Sequence, residues 1–307
     1  MSNQVQISQK DFEDAFGDNL SEFVKVKIKN FDFLAQKVSD QEKDKILLKI
    51  IKAILDPEII KAGKKRQEQW EKGWSENLDA YKKQAGGSII PRYFGKYDVI
   101  RWKQQFFHPV SANFEYNMLA VLQYWLFDKY LRSSSSIYEF GCGTGHNLER
   151  VREINQKAEI WGLDWAHSSQ EIIEKMSLEK SDFKLKAKNF DFFNPDTNFN
   201  LNKGSVFTVA ALEQVGENFD KFIDYLLANK PEICLHIEPI AELLDPDNLV
   251  DFLSIEYFKK RNYLNGFLSK LRELEKKGKI KIHKAQRSFI GSFYIEGYSV
   301  IVWSPLP

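Results

Sequence analysis

Glu139, Gly141, Gly143, Gly145 and Asp164 form the pattern in this chain best suited to holding a ribose-bearing ligand. In Ser136-Ile-Tyr-Glu-Phe-Gly-Cys-Gly-Thr-Gly-His-Asn-Leu148 a short apolar run turns through three alternate glycines and enters a predicted helix. Glycine tolerates positive φ and carries no Cβ, so the backbone can turn sharply and approach a ligand closely. The helix start offers unpaired N–H groups to polar ligand atoms. His146 stands where the dinucleotide pattern G-x-G-x-x-G needs its third glycine, which argues against a nicotinamide or flavin ligand. A second apolar run, Ile160-Trp-Gly-Leu163, ends in Asp164. That is about the spacing at which a second-strand carboxylate meets ribose hydroxyls.

These residues need a parallel sheet to present them. From residue 133 onward strand-like and helix-like segments alternate, the pattern of an α/β domain with helices on both faces. Seven strands are predicted: Ile137–Phe140, Ile160–Asp164, Phe183–Lys188, Val206–Ala210, Ile233–Glu238, Ile280–Gln286 and Ser299–Trp303. A helix from about Asn113 to Tyr130 precedes the first and is expected to pack on the sheet. Residues 1–85 read as helical. Phe12, Phe16, Leu20 and Phe23 recur at helical spacing, and Ser39-Asp-Gln-Glu42 has the form of a capping box. Asp56-Pro57 predicts a further helix start, leading into a long polar helix marked by Trp70, Trp74 and Tyr81 and broken at Gly86-Gly87.

The glycine turn, Gly162-Leu163-Asp164-Trp165-Ala166-His167-Ser168, Asn189-Phe190-Asp191-Phe192, and Val206–Val215 followed by Lys230-Pro231 together resemble the class I S-adenosylmethionine (SAM)-dependent methyltransferases. The resemblance covers roughly residues 133–307. It implies a Rossmann-like seven-stranded, mostly parallel sheet in the order 3-2-1-4-5-7-6 with an antiparallel seventh strand. It places the domain at 113–307, behind a helical extension at 1–112 that caps the substrate side. It implies SAM as cofactor, with Glu139, Gly141, Gly143 and Gly145 around the methionine part, Asp164 on the ribose, Trp165 on an adenine face, and Asp191 and Phe192 at the adenine edge. Because every cofactor motif lies after Ser133, the first 85 residues are expected to serve the acceptor only.

Methyl transfer chiefly requires donor and acceptor to be held in line, with a base where the acceptor must lose a proton. Ala211-Leu-Glu-Gln214-Val resembles a family segment whose fourth residue is often histidine. Gln214 can orient a substrate but cannot take a proton at neutral pH. The run Ile233-Cys-Leu-His-Ile-Glu-Pro239 sets His236 and Glu238 on one strand face. Glu238, at the carboxyl end, is expected to act as base or orienting group, whereas His236 suits either a catalytic or a core role. His108 is a third candidate. It closes the run Pro91–His108, where aromatics alternate with basic residues. Arg92, Tyr93, Arg101 and Trp102 from that run, with Arg261 and Tyr263, suggest an acceptor with an anionic part and a stackable or sugar-like face. The same aromatics serve equally well as packing between cap and core. The segments Pro91–His108 and His236–Tyr263 are also similar to methyltransferases of bacterial surface-polysaccharide pathways.

Bulk properties narrow the partners. The 307 residues carry a net charge of +1, so there is no global pull toward nucleic acid or anionic lipid. Apolar residues make up 43%, enough for a filled core, and no apolar run approaches the ~20 residues of a membrane helix. The start Met-Ser-Asn-Gln-Val-Gln-Ile-Ser shows no secretory pattern, and Cys142 and Cys234 suit reduced thiols, so a cytoplasmic protein is expected. Neither His-x-x-x-His nor Cys-x-x-Cys occurs, and no metal is expected. The favoured activity is methylation of an oxygen or nitrogen on a small or glycan-type acceptor, such as a sugar nucleotide. The alternative is a protein or RNA acceptor docked by the basic segment 259–287; the Asn-Pro-Pro-Tyr signature used on nucleobase amines is missing, and a nucleic-acid partner is disfavoured.

Overall fold

The computed structural model describes residues 4–83 and 88–306; the expected break at Gly86-Gly87 and the first three residues of the chain lie outside them. The amino-terminal region runs β1 (Gln4–Gln6), α1 (Gln9–Phe16), α2 (Glu22–Lys29), β2 (Leu34–Lys37), α3 (Asp40–Leu55), α4 (Gln67–Lys83), β3 (Ile100–Trp102) and β4 (Gln105–Pro109). A buried helix, α5 (Phe114–Tyr130), leads into β5 (Ser136–Phe140), α6 (His146–Ile154), β6 (Glu159–Asp164), α7 (His167–Glu179) and β7 (Leu185–Asn189). Then come β8 (Ser205–Val209), α8 (Asp220–Asn229), β9 (Cys234–Glu238), α9 (Leu249–Arg261), α10 (Phe267–Lys276), β10 (Ile280–Gln286), β11 (Ile290–Gly291) and β12 (Ser299–Pro305).

The main sheet has the order β10-β12-β9-β8-β5-β6-β7. Read from its far edge this is 3-2-1-4-5-7-6, and β12, the seventh strand, runs antiparallel to β9 while β5–β9 pair in parallel. All seven strands lie within about two residues of their predicted limits. The central ones are apolar on both faces because helices cover both: β8 and β9 are buried along their whole length. The helix before β5 is apolar all round for the same reason. One side of α5 meets the sheet, with Phe127 4.8 Å from Phe207, and the other meets the extension, where Phe16 stacks on Trp125 at 4.6 Å.

The extension contains the expected helices and also a second sheet, β1-β2-β4-β3-β11, whose pairs are all antiparallel. Its last strand comes from the β10–β12 connection, so the carboxy-terminal hairpin is stitched into the cap. Strands of two to five residues have too little periodicity to be read in advance, and they exist because tertiary pairing holds them. Two helical expectations change. The apolar series Phe12–Phe23 is split, because Gly17 adopts φ +61° and closes α1 before α2 starts at its Ser21 cap. No helix follows Asp56-Pro57: Asp56 ends α3 and accepts the Glu58 amide at 2.9 Å, a local turn that competes with a helix start. Ser39 does cap α3, through the Glu42 amide.

Candidate active site

In an open α/β sheet, ligands bind beyond the carboxyl ends of the strands where their order reverses. Here that point lies between β5, whose neighbours are β6 and β8, and those two strands. A cavity of about 510 Å³ opens there. Its wall is built first from strand ends. The turn after β5 folds back so that the Gly141 and Cys142 amides both bond the Leu163 carbonyl. Gly141 and Gly143 have φ of +77° and +52° and line the cavity. A Cβ on Gly141 would lie 2.4 Å from that of Ala211, and one on Gly143 would lie 2.9 Å from the Trp74 ring. Gly145 does not face the cavity; its bare Cα allows α6 to pack on Ile173.

Asp164, at the end of β6, lines the cavity while its two oxygens accept the Gly143 and Ala166 amides, each at 2.9 Å. Burial pushes its carboxyl up to about 6, against those hydrogen bonds, which favour the ionised form. Trp165, Asp191 and Phe192 line the same lobe. Glu139 lies beneath rather than in the lining: one oxygen accepts Asn147 Nδ2 at 2.6 Å, and its buried Oε2 has no partner. Two positive-φ glycines in the lining and the Asp164 carboxylate beside them fit a nucleoside-bearing ligand.

The other lobe comes from scattered segments. Arg66 from the turn just before α4 and Trp70 from its first turn enter together, Tyr93, Lys96 and Tyr97 from the loop before β3, and Tyr257, Arg261 and Tyr263 from the end of α9. Tyr294 and Tyr298 enter from the β11–β12 loop. Tyr257 and Tyr294 stack at 5.0 Å. Gln214 lies between the lobes, its Oε1 accepting Arg66 Nη1 at 2.7 Å and its Nε2 donating to Glu213 at 2.6 Å. The Ala62 amide bonds the Arg261 carbonyl at 2.6 Å, tying the chain before α4 to α9.

Sequence reasoning placed Gly141, Gly143, Asp164, Trp165, Asp191, Phe192, Tyr93, Gln214, Arg261 and Tyr263 at a site, and the fold gathers all ten around this cavity. Six other assignments are corrected. Glu238 is buried behind the cavity, where its oxygens accept the Ala211, Leu212 and Glu213 amides at 3.1 Å each; it anchors the loop after β8 and has no free face for a substrate. His236 is a core residue, with Nδ1 on Thr208 and Nε2 accepting the Trp303 indole N–H at 3.0 Å. Burial lowers it to about 3, so it stays neutral. His108 sits on the second sheet between the Asp98 carbonyl and Glu42, away from the cavity. Arg101 is 0% exposed and donates to the carbonyls of Val250, Phe293 and Tyr294, bracing α9 and the β11–β12 loop. Trp102 packs on Phe12 in the extension. Arg92 is on the outer surface beside Glu76, with 62% of its side chain exposed.

Glu213, Glu115, Arg66, Trp70 and Trp74 line the cavity and were not foreseen as site residues. Trp70 and Trp74 did mark one side of α4, but helical spacing alone could not tell a packing face from a cavity wall. Through them the extension reaches the Gly143 lobe as well as the other. Glu71 strengthens that docking: its carboxylate accepts the His167 and Ser168 amides at 2.8 and 3.1 Å. It thereby caps α7, which has no side-chain cap of its own, with charge of the sign the helix dipole favours.

No protein-family model matches the chain, and none of the curated proteins does. Solved structures do resemble it. The N-methyltransferase NodS from Bradyrhizobium japonicum, in complex with S-adenosyl-L-homocysteine, matches at 8% identity over 78% of this chain and 99% of that one, with TM-score 0.49. The plantazolicin methyltransferase BpumL, in complex with the same compound, matches at 15% identity over 85% and 98%, with TM-score 0.44. An O-methyltransferase from neocarzinostatin biosynthesis matches at 13% identity over 61% and 57%, with TM-score 0.40, so this chain spans less than two thirds of that protein's length. The strand order and the antiparallel seventh strand decide the fold. It is the class I methyltransferase fold. Among the described residues no helix is long and apolar enough to cross a membrane.

Proposed function

We propose that the protein is a SAM-dependent methyltransferase acting on a small acceptor that carries an anionic group. One observation carries the reading: a single cavity joins the carboxyl ends of β5, β6 and β8 to an aromatic lobe holding two guanidinium groups, Arg66 and Arg261. The first lobe would hold the cofactor. Asp164 would accept from the ribose hydroxyls, and the Gly141–Gly143 turn, with the Trp74 ring against Gly143, would border the methionine part. Trp165, Asp191 and Phe192 would border the base, with Asp191 accepting from its amino group. When bound, SAM supplies a methyl group activated by its sulfonium.

The chain's own residues would orient the acceptor and exclude water. Arg66 and Arg261 come from different elements, and Arg261 Nε is buried with no partner. Arginine presents a planar fork suited to phosphate or carboxylate. The stacked tyrosines offer flat surfaces to a sugar or aromatic ring, so a sugar nucleotide fits this chemistry, as does a ring bearing a carboxylate. The macromolecular alternative has less support. Within the basic segment 259–287, Lys259, Lys270, Lys277 and Arg287 already pair with Glu256, Asp220, Glu273 and the Asp251–Glu296 couple.

Incubation with methyl-labelled SAM and a panel of sugar nucleotides and aromatic acids should transfer label to a member of the panel. Arg261→Ala should then raise that acceptor's Michaelis constant at least ~10-fold, about 1.4 kcal/mol, with SAM affinity within about twofold. Arg261→Lys should recover only part of the loss, since a point charge cannot reproduce the fork. Label entering RNA or protein instead, with a steep salt dependence for RNA, would favour the alternative.

A further inference from the structure

We propose that Glu213 is the group that takes the acceptor's proton during methyl transfer, an inference that rests on the SAM reading above. The geometry comes from the loop after β8. Three of its amides are fixed by Glu238, and Ala211 sits against Gly141, so the loop abuts the turn that would hold the methionine part. Glu213 therefore enters the cavity where the two lobes meet, beside the strand-order reversal between β5 and β8. Its Oε1 is held by the Gln214 amide at 2.6 Å, and Gln214 is held in turn by Arg66 at 2.7 Å and the Trp70 indole N–H at 3.4 Å. This relay orients the carboxyl of a residue that lines the cavity. Positions 213 and 214 thus divide the work: the glutamine that cannot accept a proton positions a neighbouring group that can.

The surroundings suit the role. Glu213 faces Arg66 and Arg261, Tyr93, Tyr263 and Tyr298 across the cavity, and Glu238 behind. Burial first, then the nearby Glu238 charge, push its carboxyl up to about 8, while Gln214 and the two arginines pull it back. A carboxylate with that proton affinity is a stronger base than one in water and is about half ionised near pH 8. In the step, a lone pair on the acceptor's oxygen or nitrogen forms the new bond to the methyl carbon. The electron pair of the carbon–sulfur bond remains on sulfur, and the acceptor's proton passes to Glu213. Two other raised carboxyls line the cavity: Asp164 is engaged by the Gly143 and Ala166 amides, and Glu115, at about 7 through burial, is held by Tyr298. Glu115 lies on α5 and not on the loop whose Ala211 abuts the turn.

The test needs no knowledge of the acceptor. Sinefungin carries a protonated amine where SAM carries its methyl group, so its ammonium would meet the carboxylate that faces the transferring methyl. Calorimetry at pH 8 should show wild-type protein preferring sinefungin over S-adenosylhomocysteine by at least about 10-fold. Glu213→Gln should bind S-adenosylhomocysteine like wild type while its preference falls to within about twofold. Wild-type titrations in two buffers of different ionisation enthalpy provide a second readout that needs no variant. Sinefungin should release more protons than S-adenosylhomocysteine, because pairing with the ammonium ionises Glu213. If both ligands bind but the preference survives in Glu213→Gln, or if wild type releases equal protons with both, Glu213 is not the proton acceptor. If neither ligand binds, the SAM reading itself fails.

Discussion

The two lobes of the cavity are built by opposite strategies. The lobe assigned to the cofactor is made largely of residues close in sequence at the ends of adjacent parallel strands: Gly141 and Gly143 after β5, Asp164 and Trp165 at the end of β6, Asp191 and Phe192 after β7. The lobe assigned to the acceptor takes one to three residues from each of several distant segments, brought together by contacts such as Ala62 to Arg261 and Gln214 to Arg66. The strand-end residues of the first need only the sheet, so a short motif announces them, although Trp74 of the extension also closes on Gly143. The second exists only when the extension, α9 and the β11–β12 loop have all docked. Specificity in such a design can change by altering the docked pieces while the strand ends stay fixed.

That contrast predicts where substitutions hurt. The largest effect should come from Arg101, which resembles a substrate arginine in sequence yet holds the acceptor lobe together from behind. Arg101→Ala strips donors from two buried carbonyls and a part-buried one and leaves a void, so denaturant unfolding should show a loss of about 3–5 kcal/mol. An Arg101→Ala protein of wild-type stability that had merely lost acceptor affinity would reverse the roles given to Arg101 and Arg261.

His236 provides an intermediate test on the sheet side. Its proton affinity falls to about 3 in the fold from an ordinary value near 6.5, so the neutral ring is stabilising above pH 6.5 and that contribution drains away as pH falls toward 3. Between pH 7 and pH 5 it should account for about 2 kcal/mol of lost stability. Glu238, pushed up to about 7 by burial, works in the opposite direction over the same range. The comparison must therefore be made with His236→Gln, whose stability should fall less steeply by about that amount. Parallel curves for the two proteins would mean that the ring is protonated in place or that its burial is relieved.

Arg92→Ala should have the smallest effect. The side chain is exposed beside Glu76 at 4.0 Å, so stability should change by no more than about 0.5 kcal/mol and turnover within about twofold. A large loss of turnover would mean that the acceptor reaches the outer face of α4.

What could be read in advance follows the same division. The seven strands, the glycine turn and Asp164 were legible because each is a local pattern: an apolar run, a turn requiring positive φ, a carboxylate closing a strand. Period-two alternation placed His236 and Glu238 on one face correctly, but could not show that Trp303, distant in sequence, would occupy the histidine or that the loop after β8 would fold over the glutamate. Arg101 and Arg261 look alike in sequence, and their fates depend on which element lies across from each. Arg66 sits in a lysine-rich, exposed-looking stretch, and only the docking of α4 turns it inward. Glu213 lies inside a motif whose distinguishing position is the next residue, Gln214 in place of histidine.

The central claim is that the strand-end lobe binds SAM through Asp164, and calorimetric titration of S-adenosylhomocysteine into wild type and Asp164→Ala tests it most directly. Wild type should bind at one site per chain, and Asp164→Ala should bind at least about 100-fold more weakly, about 3 kcal/mol, because two hydrogen bonds to a carboxylate are lost. NAD should give no comparable heat. Equal affinity in the two proteins, or a wild type that takes NAD as readily, would contradict the account.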